Sequence, residues 1–87
     1  MVKQNFVINN PVGLHMRPAG VFAKGMAPFK STVTINFNGK SVNGKSLLAI
    51  MGASIKCGAE IELVCEGEDE EAAMKCAAEM IESGLGE

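Results

Sequence analysis

The segment TVTINFNGKSVN, residues 32–43, decides how the rest of this chain can fold. Its first half alternates apolar and polar residues, which predicts a strand with one face in a core. Asn38-Gly39 follows, and this dipeptide favours a type I′ hairpin turn because both residues tolerate positive φ. Residues 40–43 then provide a short return strand, so the segment predicts an antiparallel hairpin. The inward positions of its first strand are Val33, Ile35 and Phe37.

On the N-terminal side, residues 2–8 predict another strand, with Phe6 and Ile8 on one face. A helix is expected to begin soon after His15. Pro18 falls in its first turn, where the missing N–H group would have no helical partner in any case. Apolar residues at helical spacing predict the buried stripe of this helix. They are Ala19, Phe22, Ala23 and Met26.

On the C-terminal side, residues 45–51 predict a short helix with Ser46 as its N-cap. Residues 60–66 alternate and predict a strand. The acidic residues 69–71 suit the N-terminus of a last helix, which Gly84 ends. Its predicted apolar stripe is Ala73, Cys76, Ala77, Met80 and Ile81.

The resulting order is β-α-β-β-α-β-α, and at this length we expect one domain, residues 1–87. The simplest closure is an α+β fold, an open-faced β-sandwich. A four-stranded antiparallel sheet carries helices on one face and leaves the other face to solvent. Polar residues on the strands indicate the open face: Thr32, Thr34, Glu60 and Glu62.

Composition excludes several classes of function. No apolar run is long enough to span a bilayer, and the N-terminus lacks the pattern of a signal peptide, so we expect a cytoplasmic protein without membrane insertion. The absence of Trp and Tyr argues against direct nucleic-acid binding. The three cysteines include no CxxC pair, so no metal site is predicted and buried, reduced thiols are expected. These cysteines are Cys57, Cys65 and Cys76.

The formal net charge of −2 conceals a strong polarity along the chain. All 10 acidic residues lie between Glu60 and Glu87, whereas seven of the eight basic residues lie before Glu60. The N-terminal stretch therefore favours contact with anionic groups and acidic partners. We expect the two stretches to form opposite faces of the molecule.

The only histidine, His15, lies at the expected start of the first helix, two residues before Arg17. Free N–H groups at a helix start form an anion site, and a guanidinium group suits phosphate oxygens. The same helix end disfavours the imidazolium form, which leaves a neutral ring nitrogen as a nucleophile. No carboxylate occurs before Glu60 to orient His15 for hydrolysis. The pattern favours a phosphoryl acceptor over an enzyme that turns over a small substrate.

Two motifs carry a resemblance to a known family. Gly13-Leu14-His15-Met16-Arg17-Pro18-Ala19 resembles the active-site signature of the HPr family, the histidine-containing phosphocarriers of the bacterial sugar phosphotransferase system. Lys45-Ser46-Leu47-Leu48-Ala49-Ile50-Met51-Gly52 resembles the regulatory-serine signature of the same family. Their separation, the chain length and the element order are also similar, so the resemblance covers essentially the whole chain.

The resemblance implies a relay without a cofactor or metal. Enzyme I, phosphorylated by phosphoenolpyruvate, passes a phosphoryl group to Nδ1 of His15, and the carrier hands it to IIA components of sugar permeases. Arg17 holds the phosphate, together with the first helical turn at Met16 and Pro18. The carrier is expected to be a monomer and a phosphohistidine intermediate.

Ser46 and a surface around the site complete what the resemblance implies. In many low-GC Gram-positive members, an ATP-dependent kinase phosphorylates this serine, a phosphatase being the natural counterpart, and the product is a corepressor for a catabolite-control transcription factor. The expected docking patch is Met16, Gly20, Lys24, Leu47, Leu48 and Met51, with Lys24 and Lys45 as a basic rim. Ile50 and at least one leucine are expected in the core.

Three alternatives remain open at this point. The chain could work mainly as a regulatory binding module through Ser46 and the apolar patch. It could also belong to a nitrogen-related phosphotransfer branch. A small metal carrier of similar size is disfavoured by the missing CxxC motif.

Overall fold

The structure is a computed structural model that describes residues 1–9, 13–14 and 16–85. Seven elements follow one another in the predicted order. The strands and helices are β1 (Val2–Val7), α1 (Met16–Met26), β2 (Thr32–Phe37), β3 (Lys40–Asn43), α2 (Leu47–Gly52), β4 (Glu60–Glu66) and α3 (Glu70–Glu82).

The four strands form one antiparallel sheet in the order β1-β4-β2-β3. The predicted hairpin joins β2 and β3, with Phe37 opposite Lys40. Asn38 and Gly39 have φ values of 55° and 81°, as a type I′ turn requires. The first strand of the chain does not pair with its neighbour in sequence but with β4, where Val2 lies opposite Cys65. The open-faced α+β architecture is confirmed.

One face of the sheet packs against the helices and the other stays polar. Ile35 and Leu63 are fully buried on the inner face, in the same core cluster as Phe22 and Met26 of α1. On the outer face Ser41 Oγ donates to Asn36 Oδ1 (2.7 Å), and Asn36 Nδ2 donates to Glu62 Oε1 (3.0 Å). Phe37, expected inside, is half-buried at the margin of the core.

The buried stripe of α3 differs from the predicted one. Ala73, Ala77 and Ile81 are buried as expected, but Met74 is buried too. Cys76 and Met80 are only half-buried. The buried face of the helix therefore includes Met74, and Cys76 and Met80 lie at its edge. The predicted apolar stripe extends too far around α3, because Met, Cys and Ala residues occur on both sides of its buried face.

Asp69 does not cap α3 with its side chain. Its carboxylate instead accepts hydrogen bonds from the backbone N–H groups of Lys30 and Ser31, each at 2.9 Å, and from the Ser31 hydroxyl. These bonds tie the loop before α3 to the start of β2. They also hold the pKa of Asp69 well below its ordinary value of 3.8, at about 2, with the Ser31 hydroxyl as the largest cause.

The cysteines are all free thiols but differ in burial. Cys65 is buried on β4, and burial raises its pKa. The expectation of buried thiols is wrong for Cys57, which is exposed in the loop before β4, and Cys76 is half-buried. Cys57 lies in an irregular loop, where alternation gives no information about which side chains face inward.

Candidate functional site

The chain before the predicted acceptor is fixed to a loop from another part of the sequence. Leu14 is buried, and its N–H donates to the carbonyl of Ile55 at 2.8 Å. Ile55 belongs to the α2–β4 loop, residues 53–59. His15 itself lies outside the described residues. The residue on its N-terminal side is thus held by a side chain in the core and by a backbone hydrogen bond.

Gly13 makes this close approach possible. Its φ is +68°, and a Cβ placed there would lie 2.6 Å from the Ile55 carbonyl oxygen and 2.6 Å from the Cα of Lys56. Both are backbone atoms, which cannot move aside as the end of a side chain could. Glycine is therefore required here because φ is positive and because there is no room for a Cβ atom. The motif is thus in direct contact with the α2–β4 loop.

On the other side of His15, helix α1 begins at Met16. Met16 is 67% exposed and Arg17 is exposed, whereas Pro18 is buried in the first turn, as a helix-starting proline can be. Among the described residues, no hydrogen bond or ion pair engages the Arg17 guanidinium group. Within the part of the chain that the structure describes, Arg17 is thus an unpaired cation in the first turn of a helix.

The first turn of α1 contains no acidic residue. N–H groups at a helix start lack helical acceptors, and the helix dipole adds positive potential there. Together with the guanidinium group of Arg17, this arrangement is suited to an oxyanion such as a phosphate group. The described residues contain no cluster of three or more His, Cys, Asp or Glu that could hold a metal ion.

The two lysines predicted to form a basic rim have different roles. Lys24 is exposed in the last turn of α1, on the same side as Met16 and the half-buried Gly20. Lys45 is half-buried, and its ammonium group donates to the carbonyl of Phe29 at 2.5 Å. Lys45 therefore joins the start of α2 to the loop after α1. The rim assignment of Lys45 is wrong, because a backbone acceptor takes up its ammonium group.

Ser46 is the N-cap of α2, as the sequence predicts. Its backbone is extended, with φ −109° and ψ 112°, and its Oγ accepts a hydrogen bond from the N–H of Ala49 at 3.2 Å. The side chain is half-buried. The helix that it caps is short, from Leu47 to Gly52.

The apolar residues of α2 are divided between core and surface. Ile50 is fully buried, Leu47 and Met51 are half-buried against the core, and Leu48 is 81% exposed. Helix α2 packs beside α1. A small cavity of about 140 Å³ is lined by Leu14, by Met51 of α2, and by three residues of the α2–β4 loop, Ser54, Ile55 and Lys56.

The α2–β4 loop contributes residues near the motif that were not predicted from the sequence. Lys56 is exposed, and its backbone lies against Gly13, which makes it a cation close to the motif in space. Ser54 has φ 55° and lines the same cavity as Leu14. No local pattern marks these residues, because their proximity to the motif depends on a contact across about forty residues of sequence.

Comparisons with known proteins agree with this geometry. The family model for the PTS HPr component phosphorylation site matches residues 2–83. Phosphocarrier protein HPr of Borreliella burgdorferi is 43% identical over 83 residues, which cover 95% of this chain and 96% of that protein. The HPr-like protein Crh of Bacillus subtilis is 34% identical over 82 residues, covering 94% and 96%. The crystal structure of HPr-C-His from Thermoanaerobacter tengcongensis superposes with a TM-score of 0.96 at 38% identity, covering 100% of this chain and 98% of that one.

In the described part of the chain, none of the helices combines the length and the apolar character that crossing a membrane requires.

Proposed function

The chain belongs to the HPr family of the phosphotransferase system, and on that premise we propose that it is a phosphocarrier for sugar uptake. Phosphorylated enzyme I transfers a phosphoryl group to His15, and the phosphorylated carrier passes it to IIA components of sugar permeases. Residues 1–87 act as one domain in this relay, as a monomer in the cytoplasm and without a cofactor.

The observation that carries this proposal is the guanidinium group of Arg17 in the first turn of α1, which has no hydrogen-bond or ion-pair partner among residues 1–9, 13–14 and 16–85. An exposed arginine without a carboxylate partner retains its full capacity to bind an oxyanion with two parallel hydrogen bonds. Arg17 is separated from His15 by one residue, Met16. A group that arrives at His15 therefore meets a cation that no other described residue neutralises.

The transfer itself needs little chemistry from the carrier. A lone pair of the neutral imidazole attacks phosphorus while the bond from phosphorus to the donor atom of enzyme I breaks, and the electron pair of that bond stays with enzyme I. Arg17 and the N–H groups of Met16 and Arg17 balance the charge on the three phosphoryl oxygens. The partner supplies the rest of the site.

Labelling with enzyme I and labelled phosphoenolpyruvate tests this function. We expect an acid-labile label on the chain that is absent from His15→Ala. Arg17→Ala should accept the label about 100-fold more slowly, since it removes a charged donor from the developing oxyanion. Lys75→Ala, which removes an exposed cation from α3, is the matched control and should keep the wild-type rate. A wild-type chain that takes no label would refute the proposal.

We further assign the contact with enzyme I and the IIA components to the patch on α1 and α2. Leu48 supports this assignment because a large aliphatic side chain that is 81% exposed gains most from being covered. Met16, Gly20, Lys24, Leu47 and Met51 complete the patch. Lys24 remains its cation, and Lys45 is not part of the rim. Such a patch with a charged margin suits transient recognition of acidic partners.

Regulation at Ser46 is a second candidate function. It is favoured by the half-buried side chain of Ser46 at a helix start, where a dianionic phosphate is tolerated locally while it changes the partner-facing surface. A serine kinase, a phosphatase and a catabolite-control transcription factor are the partners in this proposal. A cognate kinase should label Ser46 with acid-stable phosphate, and the product should accept label from enzyme I poorly. Normal acceptance would exclude this regulation.

A mainly regulatory module would differ from a carrier in one respect. It would take label at Ser46 while passing none from His15 to any permease component. A nitrogen-related branch would take label at His15 but would serve other acceptors. The donor and acceptor proteins used in the labelling experiment therefore distinguish the three functions.

A further inference from the structure

The α2–β4 loop holds the chain at two points before the predicted acceptor, one on each side of residues 10–12. Ile8, just after β1, donates its N–H to the carbonyl of Ala59 (2.9 Å), and its carbonyl accepts from Gly58 (2.6 Å). Leu14 donates to Ile55 at 2.8 Å. One loop thus fixes two points of the β1–α1 connection by backbone hydrogen bonds alone.

The direction of this loop is set where it leaves α2. Ala53, the C-cap, is still helical with φ −78° and ψ −14°, and the next residue, Ser54, turns to φ 55°. The N–H of Ser54 donates to the carbonyl of Met51 at 3.2 Å. This left-handed residue reverses the chain, so that Ile55 places its side chain in the core and its carbonyl toward Leu14.

From this geometry we propose that Ser54 is a positioning residue for phosphoryl transfer at His15. Its left-handed backbone presents the Ile55 carbonyl to Leu14, and Leu14 is the residue that precedes His15. This role rests on the proposed function, because it concerns the reaction of the same histidine. Ser54 touches neither phosphate nor partner in this role; it acts through Ile55 and Leu14.

Variants at Ser54 separate backbone conformation from side-chain chemistry. Glycine and asparagine accept positive φ, so Ser54→Gly and Ser54→Asn should keep the loop in place. A β-branched residue resists this conformation, so Ser54→Val should displace the Ile55 carbonyl. Ser54→Ala is a milder replacement for Ser54→Val in case the valine variant does not fold.

The hairpin turn offers a matched control. Asn38 also has φ 55°, but it lies in the hairpin turn between β2 and β3. Asn38→Val introduces the same conformational conflict at a different place. A general loss of stability would affect both valine variants alike, whereas a loss of positioning would affect only the variant at Ser54.

Steady-state transfer from phosphorylated enzyme I provides the first measurement. We expect kcat for Ser54→Val to fall about 10- to 100-fold with KM nearly unchanged, the size of effect that a small misplacement of a reacting group produces. Ser54→Gly, Ser54→Asn and Asn38→Val should keep the wild-type kcat. Equal losses in both valine variants, a change confined to KM, or a normal kcat for Ser54→Val would overturn the role of Ser54.

The second measurement does not depend on enzyme I. Because His15 is the only histidine, its imidazole signals in an NMR spectrum are identified without further assignment. We expect these signals to shift in Ser54→Val and to remain in place in Ser54→Gly and Asn38→Val. If the wild-type chain took no label, the proposed function would fail while this comparison still tested positioning. Unchanged signals in Ser54→Val would refute positioning even if labelling succeeded.

Discussion

Helices α2 and α3 begin in opposite ways. At α2, the side chain of Ser46 accepts the N–H of Ala49 and stabilises its own helix. At α3, the carboxylate of Asp69 makes no such bond and reaches instead to Lys30 and Ser31, nearly forty residues earlier. Both residue types are good N-caps, but one is used within its helix and the other joins two distant segments.

The difference follows from what surrounds each helix start. Ser31 is buried, with 1% of its surface exposed, and its hydroxyl and N–H groups need acceptors that only Asp69 provides. Leaving buried donors without partners costs more than leaving a helix N–H group to water. α3 still has the acidic residues Glu70 and Glu71 in its first turn, whereas α2 has none and depends on its cap.

The largest effect is expected from breaking the long-range bonds of Asp69. Asp69→Ala removes three hydrogen bonds at once and leaves the hydroxyl of buried Ser31 without its acceptor. We expect thermal unfolding to show a greater fall in Tm than for any single change at the start of α2. A Tm loss smaller than that of Ser46→Ala would show that the three long-range hydrogen bonds of Asp69 contribute little stability.

The lowered pKa of Asp69 also predicts that the folded protein loses stability in acid. Because folding lowers its pKa from 3.8 to about 2, the ionised carboxylate stabilises the fold above pH 3.8, and this contribution is lost as the pH falls toward 2. Denaturant unfolding across this range should show a shallower loss in Asp69→Asn than in wild type. Parallel pH curves for the two proteins would contradict this assignment.

An intermediate effect is expected at Ser46. Ser46→Ala removes one hydrogen bond and should lower the free energy of unfolding by about 1 kcal/mol, the usual contribution of an N-cap. Ser46→Asp keeps an acceptor and is the matched control, which should recover most of this loss. Chemical denaturation measures both. If the alanine variant were as stable as wild type, the hydrogen bond from Ala49 to Ser46 would contribute nothing to the free energy of unfolding.

The smallest effect is expected from the first-turn charge of α3. Glu71 is exposed, so Glu71→Gln should cost about 0.3–1 kcal/mol through the helix dipole, and salt should reduce the difference. Glu82→Gln, at the opposite end of the same helix, should be neutral or slightly stabilising. Denaturant unfolding at low and high salt distinguishes them. Equal losses at both ends would exclude a dipole effect.

Features set by neighbouring residues could be predicted from sequence. The turn at Asn38-Gly39, the cap at Ser46 and the left-handed Gly84 after α3 depend on residues only a few positions apart. The apolar stripe of α1 is likewise a local pattern, and every residue assigned to it is buried. In these cases propensity, capping and burial favour the same structure, so a single sequence determines the outcome.

Features that depend on distant contacts could not be predicted in this way. The Lys45 ammonium group is bound by Phe29, and Gly13 lies against Lys56, yet neither partner is marked in the sequence. The motif identifies His15 and Arg17 as candidate functional residues. The α2–β4 loop, which fixes the chain next to them, is brought there by the order of the strands in the sheet, which the motif does not show. From charge and spacing alone, the exposed Lys24 could not be distinguished from Lys45, whose ammonium group is hydrogen-bonded to a backbone carbonyl.

The pairing of β1 with β4 has a consequence for how the protein is made. Val2 is synthesised well before its partner Cys65, which emerges only after α1, β2, β3 and α2 have left the ribosome. Contacts between residues so far apart in sequence form late in folding. Leu14, in the connection from β1 to α1, is held by Ile55, which is also synthesised late. A nascent chain therefore lacks the contact that holds Leu14 until the residues of the α2–β4 loop have been synthesised, so the backbone next to His15 is fixed only late in synthesis.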